Sequence, residues 1–373
     1  MSGERKVLLA AGGTGGHLFP AEALAHELLA RGVRPSLMTD RRGAAVPAAL
    51  SSIEIHRVRA GGVASGSTVK RMAGAASLLC GMLEARRIVR RIRPDAVVGF
   101  GGYASLPAMM AASSVGVPAM LHEQNAVLGR ANRMVAPRAR RIATSFETIT
   151  GVREADRGKI RVTGNPVRAE IAAVGPYEAP TASGELRLLV FGGSLGASIF
   201  SRMVPAAVEK LDLGLRKRLR IVQQCRAEDL DRVDEAYRTL GVAAETRKFF
   251  DDMPRRLGWS HLVLCRAGAS TIAELSAAGR PALLVPYPHA TDDHQTANAK
   301  ALEAAGGVWV MLEREMTADS LAASLTEKLS NPVLLGTAAM ALRAGARKNA
   351  ARALADEVAA LMDGNHPVRE QAA

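Results

Sequence analysis

Glu274 follows Thr271 by three residues in the stretch 262–298, LVLCRAGASTIAELSAAGRPALLVPYPHATDDHQTAN. A Thr-x-x-Glu spacing at a helix start can form a capping box, in which each side chain satisfies a backbone N–H group. The same carboxylate, on the first helical turn beyond a strand, can instead accept both hydroxyls of a ribose. His17 offers a second kind of chemistry. It ends the run Gly12-Gly13-Thr14-Gly15-Gly16-His17, where a nearly bare backbone can approach a ligand and the imidazole can act as acid or base. Its other reading is a helix-entry residue with a structural hydrogen bond. Ser194, within Gly192-Gly193-Ser194-Leu195-Gly196, can cap a helix and contact a phosphate at once, through its hydroxyl and its backbone N–H. His122-Glu123-Gln124-Asn125 places four polar side chains directly after an apolar run. In an α/β sheet such strand ends meet ligands; a solvated loop is the alternative.

Two common signatures are missing. Counting G-x-G-x-x-G from Gly13 puts Leu18 where the last glycine of a dinucleotide fingerprint belongs. No Gly-Lys-Ser/Thr follows, so the run is not a P-loop either. Asp229-Leu230-Asp231 has the form of a DxD metal signature but lies in a charged, amphipathic helical stretch and reads as a solvated face. No His/Asp cluster has catalytic metal spacing, and no metal site is expected.

The elements that must position these residues repeat one pattern. Residues 6–11 form an apolar strand before the first glycine run, and a helix is expected to start near Pro20 and stop at Gly32. Residues 36–39 begin the next strand. Residues 97–100 lead into Gly101-Gly102-Tyr103 and an Ala/Met-rich helix, and residues 188–191 lead into the Gly192 run. Residues 262–265 form a buried strand, residues 271–278 a helix ending at Gly279 before Pro281, and residues 282–285 another strand. Alternating strands and helices imply two doubly wound α/β domains with parallel sheets. The boundary falls near residues 164–185, with a Gly/Pro/Ser-rich linker over 174–184. Residues 342–362 read as one long Ala/Arg-rich helix, and 363–373 as a frayed tail.

At 373 residues the chain has room for two cores, and 48% of it is hydrophobic. Its 49 Lys and Arg against 36 Asp and Glu give a net charge of +13, which implies an anionic partner: nucleic acid, acidic lipid or a phosphorylated substrate. Aromatic residues make up only 3%, which argues against base-stacking platforms. Cys80, Cys225 and Cys265 are far apart and form no C-x-x-C, so neither a disulfide framework nor a thiolate metal site is expected. The polar leader runs at once into a strand, with no evident signal peptide. Residues 96–121 carry no charge, but Gly99, Gly101, Gly102, Pro107, Gly116 and Pro118 break them into strand, loop, helix and strand.

Taken together, GGTGGHLFP, GFGGYASLPAMMAA, LHEQNAVLGRANR, VTGNPVR, FGGSLGA, FFDDM and RAGASTIAE…DDHQTANA resemble, in this order, the MurG family. These are the bacterial undecaprenyl-diphospho-muramoylpentapeptide β-N-acetylglucosaminyltransferases of glycosyltransferase family 28, and the resemblance covers the chain to about Met362. It implies a GT-B fold, two Rossmann-like domains facing across a cleft. The implied division is 1–164 on the acceptor and membrane side, 165–340 for the donor, a helix over 341–362 returning to the N-terminal domain, and a tail over 363–373. The implied reaction moves GlcNAc from UDP-GlcNAc to the C4 hydroxyl of the muramyl sugar of lipid I. It gives lipid II for peptidoglycan synthesis, with inversion, no cofactor and no obligatory metal.

The resemblance also implies roles for residues. Glu274 looks like the ribose carboxylate, Arg168 and Ser194 resemble diphosphate contacts, and Ala269, Ser270, Thr271 and Gln295 resemble the groups around the sugar. Phe250 falls at the uracil slot; Thr14, Gly15, Gly16 and Asn125 would meet sugar or acceptor from the other domain. Many relatives are aliphatic where Phe250 stands, and some have Gln-Gln where this chain has His294-Gln295. An inverting transfer needs one base and no covalent intermediate, and His17 and Glu123 are the candidates. The implied partners are UDP-GlcNAc, lipid I and the anionic cytoplasmic face of the cell membrane, with no nucleic acid. For the membrane, residues 69–93 supply Lys70, Arg71, Arg86, Arg87, Arg90, Arg91 and Arg93 around Leu78, Leu79, Met82 and Leu83; an ordinary amphipathic helix on the core is the other reading. Two rival functions are a UDP-GlcNAc 2-epimerase, which shares the GT-B fold, and a basic nucleic-acid-binding protein.

Overall fold

The computed structural model describes residues 4–12, 15–40, 50, 52–60, 68–193 and 197–364. The chain divides into two compact units, Met1–Val167 with Asn349–Ala373, and Arg168–Lys348.

The first unit runs β1 (Lys6–Ala10), α1 (Gly15–Ala30), β2 (Arg34–Asp40), β3 (Glu54–Val58), α2 (Thr68–Ile92), β4 (Ala96–Gly99), α3 (Leu106–Ser114), β5 (Ala119–Glu123), α4 (Arg130–Val135), β6 (Arg141–Thr144) and β7 (Ile160–Val162). Its strands form one sheet in the order β3-β2-β1-β4-β5-β6-β7, with every neighbour parallel. The strand order reverses between β1 and β4, so the turns after these two strands diverge and leave a crevice. β1, β4 and β5 are buried on both faces, which is why they read as continuous apolar runs rather than alternating ones.

The second unit runs α5 (Ala169–Ala172), β8 (Leu186–Phe191), α6 (Ser198–Glu209), α7 (Leu213–Arg218), β9 (Leu219–Gln224), α8 (Leu230–Thr239), β10 (Ala243–Arg247), α9 (Met253–Trp259), β11 (Leu262–Cys265), α10 (Ala269–Ala278), β12 (Ala282–Leu284), α11 (His294–Ala304), β13 (Val308–Val310), α12 (Ala318–Leu329) and α13 (Pro332–Gly345). The sheet order is β10-β9-β8-β11-β12-β13, again parallel throughout. Here the reversal lies between β8 and β11. Two arginines, Arg280 buried and Arg343 half-buried, tie the segment before β8 to the rest of this unit. Arg280 donates to the carbonyls of Leu257 and Gly175, and Arg343 to those of Val174 and Gly175.

The remaining helix, α14 (Ala350–Met362), belongs to the first unit. Leu354, Ala355, Val358 and Leu361 join the cluster formed by Val7, Leu9, Leu24 and Leu28. Arg141 is paired with Glu357, and Arg31 reaches Asp356 at 2.6 Å.

Three elements differ from the sequence reading. α1 begins at Gly15, not near Pro20, and Pro20 lies inside it. Proline cannot donate to the carbonyl four residues back, but that residue is Gly16, in the helix's first turn, where the lost bond disturbs little. α10 begins at Ala269, two residues before the expected start. The long helix over 342–362 is two helices, because the chain leaves helical geometry after Gly345, with Ala346 extended, and restarts past Asn349. The uncharged stretch 96–121 resolves into β4, α3 and β5, and among the described residues no helix is long and apolar enough to cross a membrane.

Candidate functional site

In the first unit, three turns at the carboxyl edge of the sheet, after β1, β4 and β5, meet around the ring of His17. α1 presents His17 in its first turn, next to Gly15 and Gly16. Gly12, Gly101 and Gly102 pack on the imidazole so closely that a Cβ on any of them would stand 3.3–3.4 Å from a ring carbon. Gly101 and Gly102 also have φ of +89° and +71°, where side chains are strained. The Gly-Gly turn after β4 is therefore a packing surface for the histidine. From β5, Gln124 brings its Oε1 to 3.3 Å from His17 Nδ1.

The polar run at the end of β5 is not a solvated loop. His122, Glu123 and Gln124 are buried. Glu123 Oε1 accepts from the backbone and side-chain amides of Asn125, at 3.0 and 3.1 Å. Its Oε2 accepts from Gly129 N and Asn132 Nδ2, both at 2.8 Å. Four donors on one carboxylate fix the turn from β5 into α4 and hold Asn125 in place. Asn132 was not picked out from the sequence; nine residues separate it from Glu123 and no local spacing marks the pair.

In the second unit, the turn after β11 opens α10. Its N-cap is Gly268, with extended backbone and no side-chain cap. Ala269, Ser270 and Thr271 thus form the first turn, whose N–H groups point out of the helix end. Thr271 is inside the helix, so the Thr-x-x-Glu spacing is not a capping box, and Glu274 sits on the second turn rather than the first. Glu274 instead receives Arg168 Nη2 at 3.1 Å. Burial pushes the Glu274 pKa up, and the Arg168 charge pulls the other way. The Ser270 hydroxyl is buried and has no hydrogen-bond partner among the described residues.

Gln295, in the first turn of α11, holds this turn from behind. Its Oε1 accepts from Ala267 N at 3.2 Å and Tyr287 N at 3.0 Å. Asn298, one helical turn on, donates to Ala267 O at 3.2 Å. The spacing of Gln295 and Asn298, three residues apart on one helix face, was the available signal for Asn298. Ahead of α11, Asp292 and Asp293 have φ of +53° and +50°, a left-handed pair that costs strain in non-glycine residues. His294 Nδ1 lies 2.8 Å from the carbonyl of Thr291. Phe250, after β10, is buried with the Arg256 guanidinium 4.8 Å from its ring centre, while Phe249 beside it is 65% exposed. Thr14 and Ser194 lie outside the described residues. Asp229 of the DxD run is paired with Arg232 at 2.7 Å, and the described residues contain no cluster of three or more metal-ligating side chains.

Two doubly wound parallel units, each with polar turns at the sheet's reversal point, have the GT-B architecture. The model of the glycosyltransferase family 28 N-terminal domain matches residues 7–144, and that of the family 28 C-terminal domain matches residues 187–358. The chain belongs to glycosyltransferase family 28. It is 54% identical, over 94% of its length and 93% of the relative's, to the UDP-N-acetylglucosamine--N-acetylmuramyl-(pentapeptide) pyrophosphoryl-undecaprenol N-acetylglucosamine transferase of Rhodospirillum centenum. To the protein of the same name from Rhodospirillum rubrum it is 47% identical, covering 97% and 93%. Among solved structures, Acinetobacter baumannii MurG superposes with a TM-score of 0.78 at 30% identity, covering 95% of this chain and 99% of that one. A UDP-GlcNAc 2-epimerase from Neisseria meningitidis shares the fold at a TM-score of 0.64 and 11% identity, covering 96% and 100%.

The burial of Glu274 has a consequence for stability. A raised native pKa means that the folded chain holds this proton at pH values where the unfolded chain has lost it, so the ionised side chain opposes folding above that range. Glu274→Gln keeps an acceptor for Arg168 and removes the buried charge. At pH 8 its melting temperature is predicted to equal or exceed that of the wild type. The difference should close as the pH falls through the raised pKa toward that of an ordinary carboxylate. A lower melting temperature at pH 8 would mean that the attraction of Arg168 outweighs the burial.

Proposed function

We propose that the chain carries out the reaction its relatives are named for, transfer of N-acetylglucosamine from UDP-GlcNAc to lipid I to give lipid II. The observation that carries this reading is full-length identity to transferases of that one name, 54% in one case. The geometry is consistent with it. In the second unit, Glu274 is poised to exchange Arg168 for the ribose hydroxyls, which frees the guanidinium for the diphosphate. The first turn of α10 and Arg168 then stabilise negative charge as UDP departs. Ser270, Thr271 and Gln295 lie at or behind the sugar, Ser194 joins the diphosphate contacts, and Phe250 packs beneath the uracil slot.

The acceptor C4 hydroxyl must lose a proton as it attacks the anomeric carbon, and the product is inverted. Of the two candidate bases, His17 fits better. Glu123 already serves four donors, so taking a proton would break the turn that it fixes. Gly15, Gly16 and Asn125 line the same edge, and with Thr14 they serve acceptor or sugar in this reading. The test is transfer of labelled GlcNAc to a lipid I analogue with chelator present. His17→Ala should lower kcat by about 10²–10⁴-fold while donor affinity holds. Glu274→Ala should weaken UDP-GlcNAc binding by roughly 1.5–3 kcal/mol. Normal turnover in His17→Ala with intact folding would return the base role to Glu123.

Membrane docking extends this reading, because the acceptor is tied to a polyprenyl chain. Along α2, Leu79 and Leu83 are 58% and 61% exposed, with exposed Arg87, Arg90 and Arg91 following on the same helix. Leu78 packs instead against the core, so the apolar patch is smaller than the sequence pattern implied. Exposed leucines beside arginines suit a peripheral, salt-reversible attachment to the anionic cytoplasmic membrane face, with each basic residue near the surface contributing about 1 kcal/mol. Phosphatidylglycerol liposomes should pellet the wild type at low salt but not a variant with Arg86, Arg87, Arg90 and Arg91 changed to Ser. Equal pelleting of the two, or pelleting indifferent to salt, would remove the proposal.

A further inference from the structure

The hydrogen bonds behind His17 form a chain whose every link has only one possible direction. Gln124 Nε2 stands 3.0 Å from Phe100 O, 3.3 Å from His122 O and 3.0 Å from His122 Nδ1. Two of these neighbours are carbonyl oxygens, which only accept. Turning the Gln124 amide over would set its oxygen against both of them inside a buried pocket, so the NH₂ group must face this way. His122 Nε2 lies 3.0 Å from the carbonyl of Gly164, so that nitrogen carries the proton and donates. Its Nδ1 then bears the lone pair and accepts from Gln124. Complete burial pushes the His122 pKa down to about 4, so the ring stays neutral and its Nδ1 remains an acceptor at neutral pH.

With the amide fixed, Gln124 Oε1 points at His17 Nδ1, 3.3 Å away, and an amide oxygen can only accept. We propose that Gln124, held by His122 and Phe100 O, is a positioning residue that sets the tautomer of His17, placing its proton on Nδ1 and its basic lone pair on Nε2. The inference rests on the reading of His17 as the base and adds to it the identity of the nitrogen that takes the proton. Gly12, Gly101 and Gly102 supply the other half of the device. They pack against the ring, and any side chain at these positions would press on it. The step balances simply. The C4 hydroxyl proton passes to Nε2, the oxygen bonds to the anomeric carbon, and the bond to UDP breaks with its electron pair on the diphosphate. The imidazolium that results keeps its Nδ1–H bond to Gln124. Neither Gln124 nor His122 touches the reacting atoms; they act only through His17.

The experiment is ¹⁵N NMR of the full-length chain labelled at histidine, with His17 assigned by comparison with His17→Ala, beside steady-state kinetics. The wild type should show His17 with Nδ1 protonated and Nε2 unprotonated. Gln124→Met, of similar shape but without the oxygen, should admit the other tautomer. It should lower kcat by at least about tenfold, within the range for an impaired base, with the donor KM changed by less than about twofold. Gln124→Glu, whose protonated carboxyl keeps an acceptor oxygen toward His17 and an O–H donor toward Phe100 O, should recover the Nδ1–H form and part of kcat at pH values where that carboxyl stays neutral; a purely structural role for Gln124 would give no such rescue. A wild-type His17 protonated at Nε2 overturns the proposal outright, whether or not Gln124→Met folds. So does Gln124→Met with wild-type kcat. The base reading fails separately, through normal turnover in His17→Ala, and that result would leave the observed tautomer standing.

Discussion

Parallel pairing is the constraint on which this molecule depends. When every strand of a sheet runs the same way, every turn that follows a strand emerges at the same edge. Both sheets here are parallel throughout, so apolar residues fill the central strands and the polar turns that follow them gather at one rim. The reversal of strand order then separates two adjacent turns and opens a crevice between them. In the first unit these are the turns after β1 and β4, which supply His17 and the glycines packed on it. In the second they are the turns after β8 and β11, which supply Gly192-Gly193 and the start of α10. Covering both faces of each sheet requires helices, and α14 completes the first unit's cover although it comes last in the chain.

The rim is held by buried polar groups with several partners each. Glu123 takes four donors, Gln295 joins two turns, and Gln124 meets two carbonyls and two imidazoles. Burying such groups costs free energy unless they are satisfied, and a satisfied network has few alternative arrangements. In the proposed reading, function is divided between residues that face the ligand, such as His17 and Ser270, and residues that hold their turns, such as Gln124 and Asn298.

Much of this was legible in the sequence, and what was not had physical reasons. The central strands announced themselves as short apolar runs because both their faces are covered, whereas the partly exposed edge strands β3 and β10, EIHRV and AAETR, gave no such run. The Gly-Gly turns were visible, and so was the stop of α10 at Gly279, which adopts a left-handed φ of +62°. Helix starts were misplaced where a local signal pointed to the wrong residue. Pro20 suggested a first turn but lies inside α1, and Thr271 suggested a cap although Gly268 is the cap. Contacts between distant residues were out of reach. Arg168 and Glu274 are 106 residues apart, and His17 and Gln124 are 107 apart; periodicity and spacing carry no record of such pairs. Motif order revealed the family, yet it could not tell a base from an anchor; the preference for His17 over Glu123 as the proposed base comes from the four donors around Glu123.

The account's central claim is that the donor sits at the carboxyl rim of the second unit's sheet, over the first turn of α10. A competing location exists in the same unit, a cavity of about 330 Å³ lined by Glu185, Arg220, Ala244, Arg256 and Trp259, toward the opposite ends of β9 and β10. Hydrogen–deuterium exchange of the full chain with and without UDP-GlcNAc separates the two directly. The account predicts slower exchange in residues 266–274 and 291–296 on adding the nucleotide sugar, with residues 185, 220 and 243–245 unchanged. Protection around that cavity, with none at the start of α10, would contradict it.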